Sequence, residues 1–403
     1  MITLPLPSSF RPSDFLTGPL LIQADTASWF VSSVFRKAYH ENVDENGFAR
    51  LHSTILRRVM GKPSTRIIEA LKIGRAIETV GYSAGLKSTG YKLTDRFLTG
   101  EYESRPIRDE SLIDRLERER RRQKSKWQQI HHDLDEQQQC VTIVSDADRI
   151  LENMPRRAQL CQRALVDNIR RRDFHFSVSS TGRCFNSISG LKSDLRATLR
   201  IDGERVGCID IDCAQPALLA MLLSQKPPEC EGIGSTRYIH TRFAAPSPVP
   251  PAGGEDLECF RSLACRGVLY DVLGYRWELS RRKVKKRVLV DVLAKGKEYP
   301  SEVEKRFRQD FPSVYRAIRT INRGDHSTLI RHLQRMESWL VIENVAPRLL
   351  GRCPFVTLHD GIYSGVAELP AVEAAFHDTF QELGFSMSLK REIEGKKTKV
   401  TPK

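Results

Sequence analysis

The feature that most constrains this chain is an apolar run that ends in two aspartates, VGCIDIDCAQPALLAMLL at 206–223. The run up to Asp210 and Asp212 reads as a buried strand. The residues after it read as a helix with Pro216 in its first turn, where a missing N–H costs nothing. Strand alternation puts both carboxylates on one face. A second apolar run, PFVTLHDGIYSG at 354–365, carries His359 and Asp360 at a hairpin-like tip. Carboxylates in such settings suit a hard divalent cation, Mg²⁺ above all, which takes one or two of them together with substrate oxygens. The plainer alternative is an aspartate that caps the following helix.

Charge narrows the class of partner. The 403 residues hold 64 Lys+Arg against 50 Asp+Glu, a net charge of +14. A basic surface concentrates polyanions, of which nucleic acid is the commonest. The length allows two or three domains with a sizeable core. Nine cysteines form no C-x-x-C pair and no zinc spacing, and Cys208 and Cys353 sit in apolar stretches as small buried hydrophobes. No apolar run reaches 18 residues, so no membrane contact is expected, and a reducing cytoplasm fits best.

Along the chain, residues 1–44 read as an arm. Residues 45–100 run helix, helix, basic hairpin, the order of a winged helix-turn-helix, with Lys87, Ser88 and Thr89 suited to phosphate contact at its tip. Residues 101–177 read as helical. Their charged stretch, with Arg115, Arg118 and Arg120 to Arg122, is either a solvated face or a surface that tracks a phosphate backbone. His131 and His132 read as surface residues. The Pro- and Gly-rich stretch 226–258 reads as an irregular insertion.

Three ordered blocks carry the chemistry. The first, 179–223, runs Thr181-Gly182-Arg183, an Asn/Ser-rich loop, a basic stretch with Arg196 and Arg200, a turn at Asp202-Gly203, and the aspartate-ended strand. The second, SRRKVKKRVLVDVLAKG at 280–296, holds Arg281 and Lys285, and equally Arg282 and Lys286, at a spacing that aligns both members of each pair on one helix face. The third is His359-Asp360-Gly361, followed by a helix-then-strand pattern. Over 178–394 these blocks resemble family A DNA polymerases and the related single-subunit phage RNA polymerases. Those enzymes carry T-G-R-x-S-S, then D-Y-S-Q-I-E-L-R, an R-x-x-x-K helix with an aromatic four residues on, and finally H-D-E or H-D-S. Aligning the family aspartate with Asp212 matches Gln215 and Leu218 and leaves Ala217 at the Glu position, whereas Asp210 matches less. Leu289 or Val290 stands where the family has its aromatic residue, and Gly361 departs from both family patterns.

The resemblance implies an α+β right-hand polymerase: an antiparallel-sheet palm from 178–225 and 340–403, helical fingers over 226–339, and a thumb-like region over 101–177. It implies two Mg²⁺ or Mn²⁺ ions on Asp212, Asp360 and Asp210, with His359 at the primer terminus. Arg281, Lys285, Arg282, Lys286 and Gln215 would bind nucleotide, and Arg183, Arg196 and Gln334 would contact primer or template; Glu337 is a second polar candidate on the same helix as Gln334. The expected activity is template-directed DNA synthesis from nucleoside triphosphates on a primer-template, in a compact enzyme of a plasmid or other mobile element. No stretch has the spaced carboxylates of a proofreading exonuclease. RNA polymerase or primase activity stays an alternative, because Ala217 lacks the bulk that helps exclude a ribose 2′-hydroxyl. A non-catalytic replication initiator using the winged helix is the rival from another class.

Overall fold

The run at 206–211 is apolar without clean alternation because it becomes the central strand of a sheet. In a computed structural model describing residues 2–39, 43–44, 46–81, 88–98, 101–224, 254–296, 299–393 and 396–400, the strand is Glu204–Ile211, buried at every position from Val206 to Ile209. Strands covered on both faces read as near-continuous hydrophobic runs. The sheet order through it is Phe355–Leu358, Gly361–Gly365, Glu204–Ile211, Leu389–Ile393 and Lys396–Val400, with every neighbouring pair antiparallel. The turn expected at Asp202-Gly203 joins Leu199–Ile201 to the central strand through two residues of positive φ, 51° and 81°. Such turns match the twist of the strands they connect.

The chain is mixed α+β and divides into two units that interleave in sequence. The first comprises 1–132, 143–175 and 187–198; the second comprises 133–142, 176–186 and 199–403.

In the first unit the stretch read as an arm is packed. Strand Thr3–Pro7 pairs with Tyr102–Pro106, and helix Ala24–Tyr39 buries Phe30, Val31, Val34 and Phe35. The next segment has helices Ser53–Met60 and Ser64–Ile73, then antiparallel strands Ile77–Val80 and Gly90–Leu93, with Ala49–Arg50 added beside the latter. Lys87 lies outside the described residues, and the Ser88 carbonyl accepts a hydrogen bond from Arg50. Within the charged helix Glu110–Lys124, Arg115 donates to the Val59 carbonyl and Glu119 pairs with Arg58, while Arg118 and Arg120 to Arg122 are exposed. His131 is buried rather than superficial. Its Nδ1 accepts from the Gln128 N–H, and desolvation, with His132 nearby, pushes its pKa down, favouring the neutral ring.

In the second unit helix Leu369–Glu382 packs across the central strand and Gly361–Gly365. Helix Ala214–Leu223 is apolar nearly all round, as a core helix should be, and packs against Glu255–Cys265 and Thr328–Ser338. Phe260, Phe307 and Phe311 cluster with centroids 5.3–6.1 Å apart, tying Glu255–Cys265 to Glu302–Asp310 and to the start of Pro312–Ile321. The tail read only as basic forms the edge strand Lys396–Val400, and its exposed lysines are the usual guard against edge-to-edge pairing. Cys208 and Cys353 are buried as expected, and burial pushes both thiols up. Among the described residues no helix is long and apolar enough to cross a membrane.

Asn322 holds two loops of this unit. Its buried amide donates to the Leu293 carbonyl and accepts from the Leu329 N–H, both at 2.9 Å. Asn322→Ala leaves both backbone groups without that partner and should lower unfolding stability by about 2–4 kcal/mol, measured by denaturant titration.

Candidate active site

The site grows out of strand register. Asp210 lies opposite Gly361 on one neighbouring strand and Lys390 on the other. Leu358 pairs with Gly361, so His359 and Asp360 form a two-residue turn at the end of the hairpin. His359 takes φ of 55°, a left-handed conformation that costs a residue with a Cβ on the order of 1 kcal/mol and recurs at functional turns. The Asp360 carbonyl accepts from Ile211, and the Asp212 N–H donates to the Ser388 carbonyl. Turn and strand end are thus stitched together, and Asp210, Asp212 and Asp360 line one pocket with Gln215, Tyr270, Arg281, Lys285, Leu289 and Lys390.

Register also accounts for Gly361. A Cβ there would stand 2.9 Å from the Asp210 Cβ and 3.1 Å from the Ile209 carbonyl. A larger residue would force the strand carrying Asp210 aside. On the other flank Gly267, with φ of 66°, lies so close to Asp212 that a Cβ would meet its Cβ at 2.8 Å.

Each strand-end aspartate is held by a cation. Lys390 Nζ donates to Asp210 Oδ2 at 3.0 Å, and Arg281 donates to Asp212 Oδ1 at 2.8 Å. Burial pushes the Asp210 pKa up to about 6; Lys390 opposes the shift and the negative charge of Asp360 adds to it. Asp212 is 4% exposed. Asp210 Oδ1 and Asp212 Oδ2 are buried with no hydrogen-bond partner. Two orphaned, hard carboxylate oxygens in one pocket fit a divalent cation. Among the described residues no three acidic, His or Cys side chains stand close enough together to enclose an ion.

The two Arg/Lys pairs of the basic helix differ in where they lie. Helix Arg281–Arg287 starts at Ser280, whose hydroxyl accepts from the Lys283 N–H, and continues as a π-helical segment, Val288–Leu293. Arg281, Lys285 and Leu289 line the pocket, and Arg282 and Lys286 do not. Arg281 also pairs with Asp271 at 3.1 Å and lies over the buried Tyr270 ring.

The remaining expected residues divide. Arg183 is turned to Glu337, donating at 2.8 Å, and Gln215, which lines the pocket, donates to the same carboxylate. Glu337 is buried, and burial with the nearby charge of Asp360 pushes its pKa up against the pull of Arg183. Its neighbour Gln334 is half-buried, and its carbonyl accepts from Ser338. His359 packs edge-on to Phe185 at 5.8 Å. Arg196 belongs to the first unit, where it donates to the Leu191 carbonyl. Lys390, Lys399, Asp271, Tyr270 and Gly267 were missed. A lysine placed in a strand beside apolar residues was the signal available for Lys390.

Gly361→Ala should destabilise the second unit by about 1–3 kcal/mol, because the added methyl meets backbone and Cβ rather than a yielding side-chain end. Chemical denaturation of the variant checks this. No family model matches the chain, and no curated protein matches it.

Proposed function

We propose that the protein is a template-directed nucleotidyl transferase of the right-hand polymerase type, making DNA from nucleoside triphosphates on a primer-template. The reading is carried by one observation. Three aspartates from two chain segments far apart in sequence share a pocket with Arg281 and Lys285, one helical turn apart. Phosphoryl transfer asks the protein mainly for positioning and for neutralisation of phosphate charge, and this pocket pairs cation-binding oxygens with phosphate-binding cations.

In this reading Asp210, Asp212 and Asp360 hold the divalent ions, which when bound neutralise the phosphates and make the attacking hydroxyl more acidic. Arg281 and Lys285 grip the triphosphate. Lys390 fixes one oxygen of Asp210, leaving the other for cation binding. Glu337 ties Arg183 to Gln215, which lines the pocket, and the Gly182 turn packs close against Ser338 to hold that arrangement. The sheet with its central aspartate strand takes the role of palm, and the helices from 255 to 321 take that of fingers.

RNA synthesis is the second reading, and Ala217 favours it. The residue is buried in helix Ala214–Leu223, and its methyl group supplies no bulk against a ribose 2′-hydroxyl. Primer extension with deoxynucleotides and then ribonucleotides decides between the two. The expected outcome is extension with deoxynucleotides; incorporation of ribonucleotides alone would favour the second reading.

Asp360→Ala should cut incorporation by at least about 100-fold while leaving DNA binding intact. Full activity in that variant sinks the assignment. Arg281→Ala should lower kcat/KM for the nucleotide by about 10- to 100-fold, and Arg282→Ala by less than about threefold, since only the first lines the pocket. Equal losses in steady-state kinetics would refute the register.

A further inference from the structure

Across the sheet one line of register runs Gly361, Asp210, Lys390, Lys399, each opposite the next. Side chains at directly paired positions share a face of the sheet. The last two strands carry two such pairs on that face. Glu392 faces Lys397 with their charges 3.3 Å apart, the matched arrangement expected of neighbouring strands. Lys390 faces Lys399, a like-charge pair, which destabilises a sheet unless anions compensate it. The mismatched pair is the one at the pocket end.

The surroundings of the two lysines differ. Lys390 lines the pocket, is 17% exposed, and is committed to Asp210. Lys399 is 47% exposed and lies 4.0 Å from Asp212 and 3.9 Å from Asp271, beyond hydrogen-bonding distance of either carboxylate. Its hydrogen bond goes to a neutral group, the Gly267 carbonyl, at 3.2 Å. An ammonium carries three donors, so Lys399 is held near the pocket by two acids without being saturated by them. Arg281 stands between the same two acids, Asp212 and Asp271.

We propose that Lys399, on the C-terminal strand, is a further phosphate-binding residue of this site, acting with Arg281 on the phosphates of a nucleoside triphosphate. Asp271 is the carboxylate that both cations exchange for phosphate. The proposal deepens the nucleotide-binding reading of Arg281 and rests on it. The C-terminal strand thereby becomes part of the site rather than a solubilising edge.

The test is binding of inorganic tripolyphosphate to the full chain without template, by calorimetry. Lys399→Gln keeps an N–H for the Gly267 carbonyl but removes the charge, and should weaken binding by about tenfold, the effect of one charge-assisted hydrogen bond. Lys399→Arg should bind as the unaltered chain does. Lys397→Gln, which alters the matched pair, should leave affinity unchanged. Asp271→Asn removes the competing carboxylate and should tighten binding several-fold. Unchanged affinity in Lys399→Gln, or an equal loss in Lys397→Gln, overturns the proposal. Should Lys399→Gln fail to fold, Asp271→Asn decides alone, and unchanged or weaker binding there overturns it. A chain that extends no primer yet loses tripolyphosphate in Lys399→Gln keeps Lys399 as a phosphate ligand and discards only the polymerase reading.

Discussion

The rest of the second unit depends on keeping several carboxylates together where water is scarce. Asp210 and Asp212 sit at the end of a buried strand, Asp360 is at the turn beside them, and Glu337 is buried near enough to feel the charge of Asp360. Burial raises the pKa values of Asp210 and Glu337, and the negative charge of Asp360 adds to both. The fold answers with cations from four separate places: Lys390 from a neighbouring strand, Arg281 from a helix, Lys399 from the edge strand and Arg183 from a turn. Removing one partner from such a set leaves a buried charge without compensation, which is far costlier than removing a surface pair.

That set explains which parts of the site were legible in the sequence. Asp210, Asp212 and Asp360 could be found because a carboxylate at the end of an apolar run is a local anomaly. Their partners are ordinary residues whose importance comes from pairing over long separations. Arg183 and Glu337 are 154 residues apart, and Asp210 and Lys390 are 180 apart. The Asp202-Gly203 turn and the helix and strand after Asp360 were legible because turn chemistry and periodicity are local. The interleaving of the two units was not, since only contacts reveal that 133–142 and 187–198 lie in different units from their chain neighbours. Nor was the packing of the N-terminal stretch, whose prolines suggest a loose arm although Leu4, Leu6 and Phe10 are buried.

The basic helix is an intermediate case. Two Arg/Lys pairs share one spacing, so spacing alone could not choose between them. The apolar stripe could have chosen. Val284, Val288 and Val292 are buried and define the core-facing side. At roughly 100° per residue, Arg281 and Lys285 fall about 60° and 100° from Val284, at the margin of the buried face. Arg282 and Lys286 fall about 160° away on either side, facing solvent. A cation that serves a pocket beside the core must come from the margin, and of the four it is Arg281 and Lys285 that line the pocket.

Glycine placement adds a constraint that the charges do not supply. Gly361 lies against Asp210 and Gly267 against Asp212, each so close that a methyl group could not be added without displacement. The Gly361 contact falls on the Asp210 Cβ, and the Gly267 contact falls on the Asp212 Cβ, Cγ and Oδ2. They fix where each side chain starts, and at Asp210 they leave the carboxylate able to exchange a cationic partner. A binding site needs that division, with a rigid backbone under groups whose partners change. Gly361 is a departure from the pattern that the chain otherwise resembles, yet in this sheet it is the residue that lets the turn bearing Asp360 close against the strand bearing Asp210.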